Sequence, residues 1–500
     1  MPTTIARVLD RALEADPGRE ALVTRSARLS YGELDTLAHR AAHALAELGV
    51  RPGDRVAATL PNDTDVVVAF HAAMRLGAVW VGINRNLAVP EKQYLLADCG
   101  AEVMLTEDPD EPLGVRMFGL DSWQGALGAA PGTPWSGPDP DPFAPAGLAY
   151  TSGTTGHPKG AVHSQHNLLV PGSVLVQSRR YGPELRKGDC FPFTVLNMAV
   201  LTTLLVSQAG GTSIVMDRID AEGVAEWIRR ESVTTWNGPP ALLHSLVTND
   251  AVAPDDLASL DEVWTGGGDC PEVIRSAFAD KFGVPVLATY GLSEAPTVVA
   301  IDERPVARSG PARHVEGASG RPLPHLDVRI ADGDGNTLPD GETGQVCISA
   351  ADERYRPMLG YWERPEPTAE SLVDGELRTG DVGYLDTDGF LHLRDRLSLV
   401  IIRGGANVYP AEVERVLAEH PGVAAGAVFG IPDERLGERV VALVEPDKTT
   451  GAGLDDLHAH LEANLARYKV PERITVVDSL PRNSMGKVIR TQLAALLDDN

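Results

Sequence analysis

Residues 150–160 read YTSGTTGHPKG and combine the residue types that bind phosphate. Glycine lets the backbone turn tightly and brings N–H groups close to an anion. Hydroxyl groups donate further hydrogen bonds, and Lys159 supplies a mobile positive charge. The stretch is not a Walker loop, because Pro158 stands where that pattern requires its second glycine. A flexible surface loop is the alternative interpretation. The sequence predicts a phosphate-binding loop that uses Thr151, Ser152, Gly153, Thr154, Thr155, Gly156 and Lys159.

A second polar motif, Tyr290-Gly291-Leu292-Ser293-Glu294, follows the apolar run from Val284 to Ala288. That run is predicted to be a strand, and ligands bind at the carboxyl ends of strands in open α/β sheets. The carboxylate of Glu294 could hold Mg²⁺, and Ser293 could donate to a phosphate oxygen. A glutamate at a strand end is more often structural, so this motif alone does not decide the function.

Two further charged residues are ambiguous when taken singly. Asp381 ends the motif Arg378-Thr379-Gly380-Asp381 after a predicted hairpin, where aspartate is usually a turn former. Lys487 follows Gly486 close to the C-terminus, which in isolation is typical of a solvated surface charge. Their order along the chain relative to the other motifs is therefore what gives them weight.

The composition limits the classes of protein to be considered. At 500 residues the chain is too long for one hydrophobic core, so two or more domains are expected. Its hydrophobic fraction of 43% is ordinary for a globular protein, and no apolar run approaches the length of a membrane span. The net charge of -26 argues against general nucleic-acid binding, which needs a basic surface. Any site for a polyanion must therefore be locally positive.

The cysteines and the N-terminus bear on the compartment. Cys99, Cys190, Cys270 and Cys347 are too far apart for a disulfide framework or for zinc-ligand spacing. The N-terminus has neither a basic segment nor an apolar segment of the kind found in secretion signals. The sequence predicts a reducing, cytoplasmic setting.

The elements that must position these motifs alternate between helix and strand, which predicts a parallel sheet with covering helices. Ser30-Tyr31-Gly32-Glu33 is a capping box that begins a helix running to Leu48. From about Gly320, Asp-Gly turns predict hairpins and a small β-rich subdomain. The predicted organisation is an α/β fold with a large N-terminal domain at 1–395, its β-rich subdomain at about 320–395, and a small α/β C-terminal domain at 396–500. Strands are expected at 56–60, 78–83, 146–149, 212–216, 233–236, 263–265 and 284–288, and helices also at 65–76 and 221–230.

Taken in order, the motifs resemble those of the adenylate-forming superfamily, which includes acyl-CoA synthetases, adenylation domains of peptide synthetases and beetle luciferases. The resemblance covers residues 150 to 487, and residues 20 to 105 resemble the N-terminal part of the family. The sequence is most similar in pattern to an AMP-forming acyl-CoA synthetase.

The resemblance implies a role for each motif. Asp381 would accept hydrogen bonds from both ribose hydroxyls, Arg396 would also reach the ribose, and Glu294 would hold Mg²⁺ near the α-phosphate. Lys487 would be the catalytic lysine, because an ammonium stabilises the charge that develops on phosphate and carboxylate oxygens. The implied ATP-binding residues outside the phosphate loop are Gly267, Gly268, Asp269, Tyr290, Gly291, Leu292, Ser293, Asp381 and Arg396.

The resemblance also implies a C-terminal domain that is mobile between two half-reactions. Its hinge falls on Ser398, where the family usually has Asp or Lys. Serine can still change its backbone torsions, but the energy of the hinge motion does not follow from the family pattern. The loop Arg403-Gly404-Gly405 corresponds to the one that approaches the thiol acceptor, expected to be coenzyme A.

The residues expected to bind the carboxylic acid depart from the family pattern. Phe193-Thr194 stands where relatives often carry an aromatic-His pair, and residues 191–198 contain no aspartate of the kind that holds the substrate amine in peptide-synthetase adenylation domains. We therefore expect a carboxylic acid that is not an α-amino acid. The predicted pocket consists of Asn197, Trp236, Asn237 and Gly291, with core packing as the alternative for Trp236.

The implied function is ATP-dependent activation of a carboxylic acid as acyl-AMP, followed by transfer to a thiol, with ATP, Mg²⁺ and coenzyme A. One alternative is a ligase of the same fold that loads a carrier protein or stops at the adenylate. Another is a non-catalytic nucleotide-binding relative. The presence of Lys487, Glu294 and Asp381 together argues against that alternative. Neither nucleic acid nor a membrane span is expected, and the oligomeric state is left open.

Overall fold

The computed structural model describes residues 3–151, 158–266, 270–295, 297–304, 315–403, 406–433, 436–447, 454, 456–482 and 487–498. The helices up to residue 151 are α1 (Asp10–Ala15), α2 (Tyr31–Glu47), α3 (Thr64–Leu76), α4 (Val89–Cys99) and α5 (Leu120–Ala129). The strands there are β1 (Glu20–Val23), β2 (Arg28–Ser30), β3 (Arg55–Thr59), β4 (Val79–Gly82), β5 (Val103–Thr106), β6 (Arg116–Gly119) and β7 (Pro145–Thr151).

The α/β alternation continues through the next part of the chain. Its helices are α6 (Gln165–Ser178), α7 (Leu196–Met198), a π-helical segment (Ala199–Leu204), α8 (Leu205–Ala209), α9 (Ala221–Glu231), α10 (Pro240–Thr248) and α11 (Glu272–Phe282). Its strands are β8 (Lys159–Ser164), β9 (Arg186–Asp189), β10 (Thr212–Val215), β11 (Thr235–Asn237), β12 (Glu262–Gly266), β13 (Val286–Tyr290) and β14 (Ala300–Ile301).

Strands dominate the remainder. They are β15 (Arg321–Pro322), β16 (Leu326–Ala331), β17 (Gly344–Ala350), β18 (Gly360–Tyr361), β19 (Leu372–Val373), β20 (Glu376–Leu385), β21 (Leu391–Arg396), β22 (Ile401–Arg403), β23 (Ala406–Val408), β24 (Val423–Asp433), β25 (Gly437–Pro446) and β26 (Arg473–Val476). The helices are α12 (Pro365–Ser371), α13 (Pro410–Ala418), α14 (Leu457–Asn464) and α15 (Ala495–Asp498).

Two large sheets form the framework. Seven described strands lie in the order β18-β8-β7-β4-β3-β5-β6, with β3 to β7 mutually parallel. Nine more lie in the order β15-β14-β13-β12-β11-β9-β10-β1-β2, and β9 to β13 run parallel. The predicted parallel sheet is confirmed, but the first hairpin, β1 with β2, belongs to the second sheet because β1 pairs with β10.

Helices α2 and α3 are packed into the core that these sheets share. The capping box is confirmed, since Ser30 accepts from the Glu33 N–H and the Glu33 carboxylate accepts from the Ser30 N–H at 2.8 Å. Every residue of α3 from Val66 to Leu76 is buried, including the polar His71 and Arg75, as expected of a helix that the core surrounds on all sides. Helices α2 and α3 therefore share one hydrophobic core with strands of both sheets.

Two smaller antiparallel-rich sheets follow. Strands β16, β17, β20, β19 and β21 form one, in which the predicted Asp-Gly turns at 332–335, 374–375 and 388–389 are confirmed as strand connections. Strand β18 lies between them in sequence but returns to pair with β8 of the seven-stranded sheet. Strands β22 to β26 form the last sheet, which α13 and α14 cover, so the small α/β C-terminal unit is present.

Two features concern the cell compartment. Cys99, Cys190, Cys270 and Cys347 are all free thiols. Within the described ranges, no helix is both long and apolar enough to cross a membrane.

Candidate active site

The phosphate-loop segment joins two adjacent strand ends. Strands β7 and β8 pair antiparallel with Thr151 opposite Lys159, and the Thr151 hydroxyl donates to the Lys159 carbonyl at 3.5 Å. Of the residues predicted to bind phosphate, these two are placed. The other five, Ser152, Gly153, Thr154, Thr155 and Gly156, lie outside the described residues.

Three parallel strands bring further predicted residues to one edge of the nine-stranded sheet. Strands β11, β12 and β13 end at Asn237, Gly266 and Tyr290. Because the carboxyl ends of parallel strands meet at one edge, the segments that follow them are neighbours. Gly267, Gly268 and Asp269, which follow β12, lie outside the described residues.

Asp381 is the centre of a buried polar cluster at this edge. The Tyr290 hydroxyl donates to Asp381 Oδ2 at 2.6 Å, and Arg396 Nε lies 2.9 Å from Oδ1. Asp381 and Arg396 face each other across the antiparallel pair β20–β21, so the strand register sets this ion pair. The Thr379 hydroxyl accepts from the Asp381 N–H at 3.0 Å and donates to the Val346 carbonyl at 2.8 Å. The Asp381 carboxylate is thus held in one orientation by Tyr290 and Arg396, as expected of a hydrogen-bond acceptor in a site rather than of a simple turn residue.

Lys487 reaches this cluster from the C-terminal unit. Much of the surface of Lys487 as a whole is exposed to solvent, whereas its amine lies beside other protein atoms. Burial of its amine beside the large domain lowers the pKa of Lys487, the positive charge of Arg396 lowers it further, and Asp381 opposes both. The predicted catalytic lysine therefore lies close to the predicted ribose-binding pair in this structure.

Glu294 is buried, and among the described residues one side chain makes a hydrogen bond to it. The Tyr361 hydroxyl donates to Glu294 Oε1 at 2.8 Å. The ammonium of Lys159 lies 5.3 Å from the centre of the Tyr361 ring, within the range of a cation–π contact. Tyr361 therefore connects the predicted metal ligand with the lysine of the phosphate loop, and sequence reasoning missed it.

A buried histidine makes a hydrogen bond to the backbone of the Tyr290–Glu294 motif. His163 on β8 donates from Nε2 to the Ser293 carbonyl at 2.6 Å, which assigns the proton to that nitrogen. Burial lowers the pKa of His163 to about 4, and the Ser293 carbonyl partly opposes this. The ring is neutral at physiological pH, so it acts here as a hydrogen-bond donor that ties the Ser293-Glu294 loop to β8.

Gly291 marks a close backbone approach beside this loop. A Cβ atom at Gly291 would lie 1.5 Å from the Thr297 carbonyl oxygen, a distance that no side chain tolerates. Leu292, the next residue, is buried in the main hydrophobic core. The motif is therefore fixed by backbone packing on one side and by a core side chain on the other.

Trp236 and Asn237, two of the residues predicted to form the acid pocket, lie in different surroundings on β11. Trp236 is completely buried in the hydrophobic core with Ile214, Met216 and Leu243, as the core-packing alternative expects, and its place in the acid pocket stays a prediction. Successive residues of a strand face opposite sides, which puts Asn237 on the other face. Asn237 is 8% exposed, and its amide nitrogen has no hydrogen-bond partner among the described residues.

A buried ion pair holds the backbone of Asn237. Lys187 and Asp189, two residues apart on β9, pair at 3.2 Å with both side chains fully buried. Asp189 Oδ1 accepts from the Asn237 N–H at 3.2 Å, and the Thr202 hydroxyl of the π-helical segment donates to Asp189. Asn197, two residues before that segment begins, is half-buried. Sequence reasoning missed this pair. Opposite charges at positions i and i+2 of a strand lie on the same face, and that spacing could have indicated it.

Of the predicted thiol loop, the structure describes Arg403. Arg403 contacts two residues of the C-terminal unit, donating to the Tyr468 carbonyl at 2.5 Å and pairing with Glu472. Gly404 and Gly405 lie outside the described residues. Ser398 falls in a 3₁₀ turn at Leu397–Leu399, and its side chain also lies outside what the structure describes. In this arrangement Lys487, and not Arg403, is brought to the cluster.

The donor set fits a hydrated magnesium ion. In the described part of the chain, no three His, Cys, Asp or Glu residues gather into a metal cage. Mg²⁺ beside nucleotide phosphates usually takes one or two carboxylates and fills its other positions with phosphate oxygens and water. The single buried carboxylate of Glu294 suits that coordination.

Comparisons with known proteins give one consistent result. A family model described as AMP-binding enzyme matches residues 9–362, and one described as AMP-binding enzyme C-terminal domain matches residues 412–487. A feruloyl-CoA synthase from an Amycolatopsis species is 37% identical, over 97% of this chain and 97% of that protein. The fatty acid–[acyl-carrier-protein] ligase ScoC of Streptomyces coeruleorubidus is 32% identical, over 98% and 96%.

Solved structures are similar over the whole chain. ATP-bound MatB from Rhodopseudomonas palustris superimposes with a TM-score of 0.89 at 28% identity, covering 99% of both chains. The o-succinylbenzoate CoA synthetase MenE from Bacillus subtilis, in complex with its acyl-adenylate intermediate, gives 0.86 at 29% identity, covering 97% of both chains.

Proposed function

The chain belongs to the AMP-binding enzyme family, and we propose that the residues around Asp381, Glu294 and Lys487 form its active site. It is an AMP-forming acid–thiol ligase, which activates a carboxylic acid as acyl-AMP and transfers the acyl group to a thiol. A carboxylate oxygen attacks the α-phosphorus of ATP, and pyrophosphate leaves. The thiolate sulfur then attacks the acyl carbon, and AMP leaves.

The observation that carries the site is the Tyr290–Asp381–Arg396 cluster with Lys487 beside it. A carboxylate has about four lone-pair positions, of which Tyr290 and Arg396 occupy one on each oxygen of Asp381. Two acceptor positions remain, which match the two hydroxyls of a ribose. We infer that Asp381 binds the ribose and that Tyr290 and Arg396 fix its orientation.

Lys487 is proposed to act on the first half-reaction. An ammonium close to the ribose site can bridge the attacking carboxylate and the α-phosphate, where negative charge develops. The lowered pKa of Lys487 reflects partial burial of its amine, and a charge in a less polar setting acts more strongly than one in water.

Glu294 is proposed to hold Mg²⁺ together with the nucleotide phosphates. The ion would neutralise phosphate charge when bound, which favours attack on the α-phosphorus. Thr151, Lys159 and Ser293 would bind phosphate oxygens, and the loop residues 152–156 and 267–269 keep the roles that the family resemblance implies. Gly291 and Leu292 would shape the wall between phosphate and acid.

The second half-reaction is proposed to need a different pose of the C-terminal domain. Arg403 now pairs with Glu472 inside that domain, while Lys487 lies at the cluster. One pose cannot bring both to the same atoms, so the domain, predicted to span 396–500, would turn near Ser398. The loop Arg403-Gly404-Gly405 would then face the acyl-adenylate.

We propose coenzyme A as the acceptor, with the phosphopantetheine arm of a carrier protein as the alternative. Both present the same thiol, and the relatives include a feruloyl-CoA synthase and an acyl-carrier-protein ligase. The four free cysteines fit a reducing, cytoplasmic setting.

We further propose that the acid carries a hydrogen-bond acceptor remote from its carboxylate. The buried amide nitrogen of Asn237 is a donor without a described partner, and an unpaired buried donor costs about 1–3 kcal/mol. An ether, hydroxyl or carbonyl oxygen on the acid would satisfy it. Residues 191–198, where a relative that takes an amino acid would place an aspartate for the amine, contain none, so the acid is not expected to be an α-amino acid.

Pyrophosphate release with a panel of acids tests these assignments. The panel should contain pairs that differ in one oxygen, such as an aromatic acid with and without a ring hydroxyl or methoxy group. Each acid is assayed alone, with coenzyme A and with a phosphopantetheinylated carrier protein. We expect release with an oxygen-bearing acid and a thioester with coenzyme A. Equal rates for both members of every pair would refute the role of Asn237, and no release with any acid would refute the activity.

A further inference from the structure

Tyr361 is held rigidly against the phosphate-loop strand. Strand β18 pairs with β8, with Tyr361 opposite Ala161, two residues after Lys159. The Tyr361 N–H donates to the Thr368 hydroxyl at 2.8 Å, and the next N–H, of Trp362, donates to the Gly160 carbonyl at 2.8 Å. The ring therefore has a fixed position relative to the phosphate loop.

The hydroxyl of Tyr361 is directed at Glu294. It donates to Glu294 Oε1 at 2.8 Å, across 67 residues of sequence, and Glu294 is buried. A phenol ordinarily ionises only near pH 10, about three units above neutral, so the Tyr361 hydroxyl is the donor in this hydrogen bond.

The hydrogen bond from Tyr361 restricts the orientation of the Glu294 carboxylate. The last torsion of a glutamate side chain is broad, so a carboxylate without partners samples many orientations. A donor on Oε1 reduces this freedom and leaves Oε2 oriented for another partner. Among the described residues, Tyr361 is the side chain that makes a hydrogen bond to Glu294.

We propose that Tyr361 is a positioning residue that orients Glu294 for the divalent cation of the nucleotide. The inference rests on the proposed role of Glu294 as a metal ligand. Partners of metal-ligating carboxylates usually contribute 10–100-fold to metal affinity, because they fix the ligand in its binding geometry. Tyr361 contributes in this way without touching the reacting atoms.

The test is a binding measurement that needs no turnover. The apparent Kd for Mn²⁺ is measured by electron paramagnetic resonance of free Mn²⁺, in the presence of α,β-methylene ATP and without acid. Mn²⁺ replaces Mg²⁺ because both are hard cations that prefer oxygen ligands. We expect Tyr361→Phe to weaken Mn²⁺ binding about 10-fold or more. The ring stays in place, so its contact with Lys159 is retained.

Tyr355→Phe is the matched control. Tyr355 is buried, whereas Tyr361 is half-buried, and the Tyr355 hydroxyl has no hydrogen-bond partner among the described residues. Removing that hydroxyl should leave the Mn²⁺ affinity unchanged. If Tyr361→Phe binds Mn²⁺ as tightly as the unaltered protein, the positioning role is refuted.

Glu294→Gln separates this proposal from the one on which it rests. We expect it to weaken Mn²⁺ binding at least as much as Tyr361→Phe does. Weak binding by Glu294→Gln with normal binding by Tyr361→Phe would overturn only the positioning role. Normal binding by both would overturn the assignment of Glu294 itself. The double variant should be no weaker than Glu294→Gln, because Tyr361 acts through that carboxylate.

Discussion

The hydroxyl of Tyr290 donates a 2.6 Å hydrogen bond to Asp381, which lies 91 residues further along the chain. This bond joins the end of β13 in the nine-stranded sheet to β20 in the antiparallel sheet. The arrangement depends on a protonated phenol, and burial, followed by the charge of Asp381, raises the pKa of Tyr290 well above its usual value. The contact places a carboxylate with two remaining acceptor positions at the edge where the other motifs meet.

Asp381→Ala should weaken ATP binding much more than acid binding. The change removes the proposed ribose acceptor, and hydrogen bonds to a charged group are worth about 1.5–3 kcal/mol. We expect the Kd for ATP, measured by calorimetry, to rise about 10-fold or more, with a small change in the KM for the acid. Asp327→Ala, at an exposed position of the same antiparallel sheet, is the control. An unchanged ATP affinity would reduce Asp381 to a structural residue.

Gly291→Ala should disrupt the site, because the added Cβ would lie 1.5 Å from the Thr297 carbonyl oxygen. The backbone must move to relieve this contact, and the adjacent Ser293 and Glu294 move with it. We expect pyrophosphate release to fall by about 100-fold or more, as found when catalytic geometry shifts by about 1 Å.

Gly125→Ala is the control for that substitution. Gly125 lies within helix α5, and a Cβ there would meet nothing within 4 Å. Alanine in a helix interior is more favourable than glycine by about 0.5–1 kcal/mol, so this variant should retain activity and unfold at a slightly higher temperature. Full activity of Gly291→Ala would mean that this backbone approach is not needed.

Ser398→Pro should separate the two half-reactions. Proline fixes φ near -65° and lacks the N–H, which should restrict one of the two poses of the C-terminal domain. We expect single-turnover pyrophosphate release to persist, while formation of the coenzyme A ester is lost. Ser398→Ala, which leaves the backbone free, should keep both. A folded proline variant with unaltered rates in both steps would show that the hinge lies elsewhere.

His71 should make the folded state sensitive to acid. Burial, and then the charge of Arg75, lowers the pKa of His71 from 6.5 to about 3. Between these values the unfolded chain binds the extra proton, so stability is present above about pH 6.5 and is lost as the pH falls. By linkage this loss is about 2 kcal/mol between pH 7 and pH 5.

The measurement compares urea unfolding of the unaltered protein and of His71→Leu at both pH values. The cost of the substitution itself cancels in the comparison, because only the change with pH is used. We expect the variant to lose about 2 kcal/mol less on acidification. Parallel losses in the two proteins would contradict a buried neutral His71.

Local patterns were sufficient to predict the regular elements and the order of the motifs. The capping box at Ser30, the Asp-Gly turns and the α/β alternation are each set by neighbours in sequence, and the structure confirms them. The burial of Trp236 was not decided by sequence, because a tryptophan at a strand end suits a pocket wall as well as a core.

Contacts between distant segments could not be predicted from such patterns. Strand β18 has two residues, too few to show any alternation, and its pairing with β8 is what places Tyr361 beside Glu294. His163 was likewise unrecognised, because its partner is a backbone carbonyl 130 residues away. The roles of Asp381, Glu294 and Lys487 stay predictions that rest on the motifs and on the geometry around them.

The most direct test of the account is Lys487→Ala assayed separately in the two half-reactions. Pyrophosphate release from ATP and acid should fall by about 10²–10³-fold, since one preorganised donor to the developing charge is removed. Thioester formation from preformed acyl-adenylate and coenzyme A should stay close to the unaltered rate. Lys469→Ala, which removes a lysine paired with Glu412 in the same domain, should spare both steps. An equal loss in both half-reactions of Lys487→Ala would contradict the central claim that this lysine serves adenylation alone.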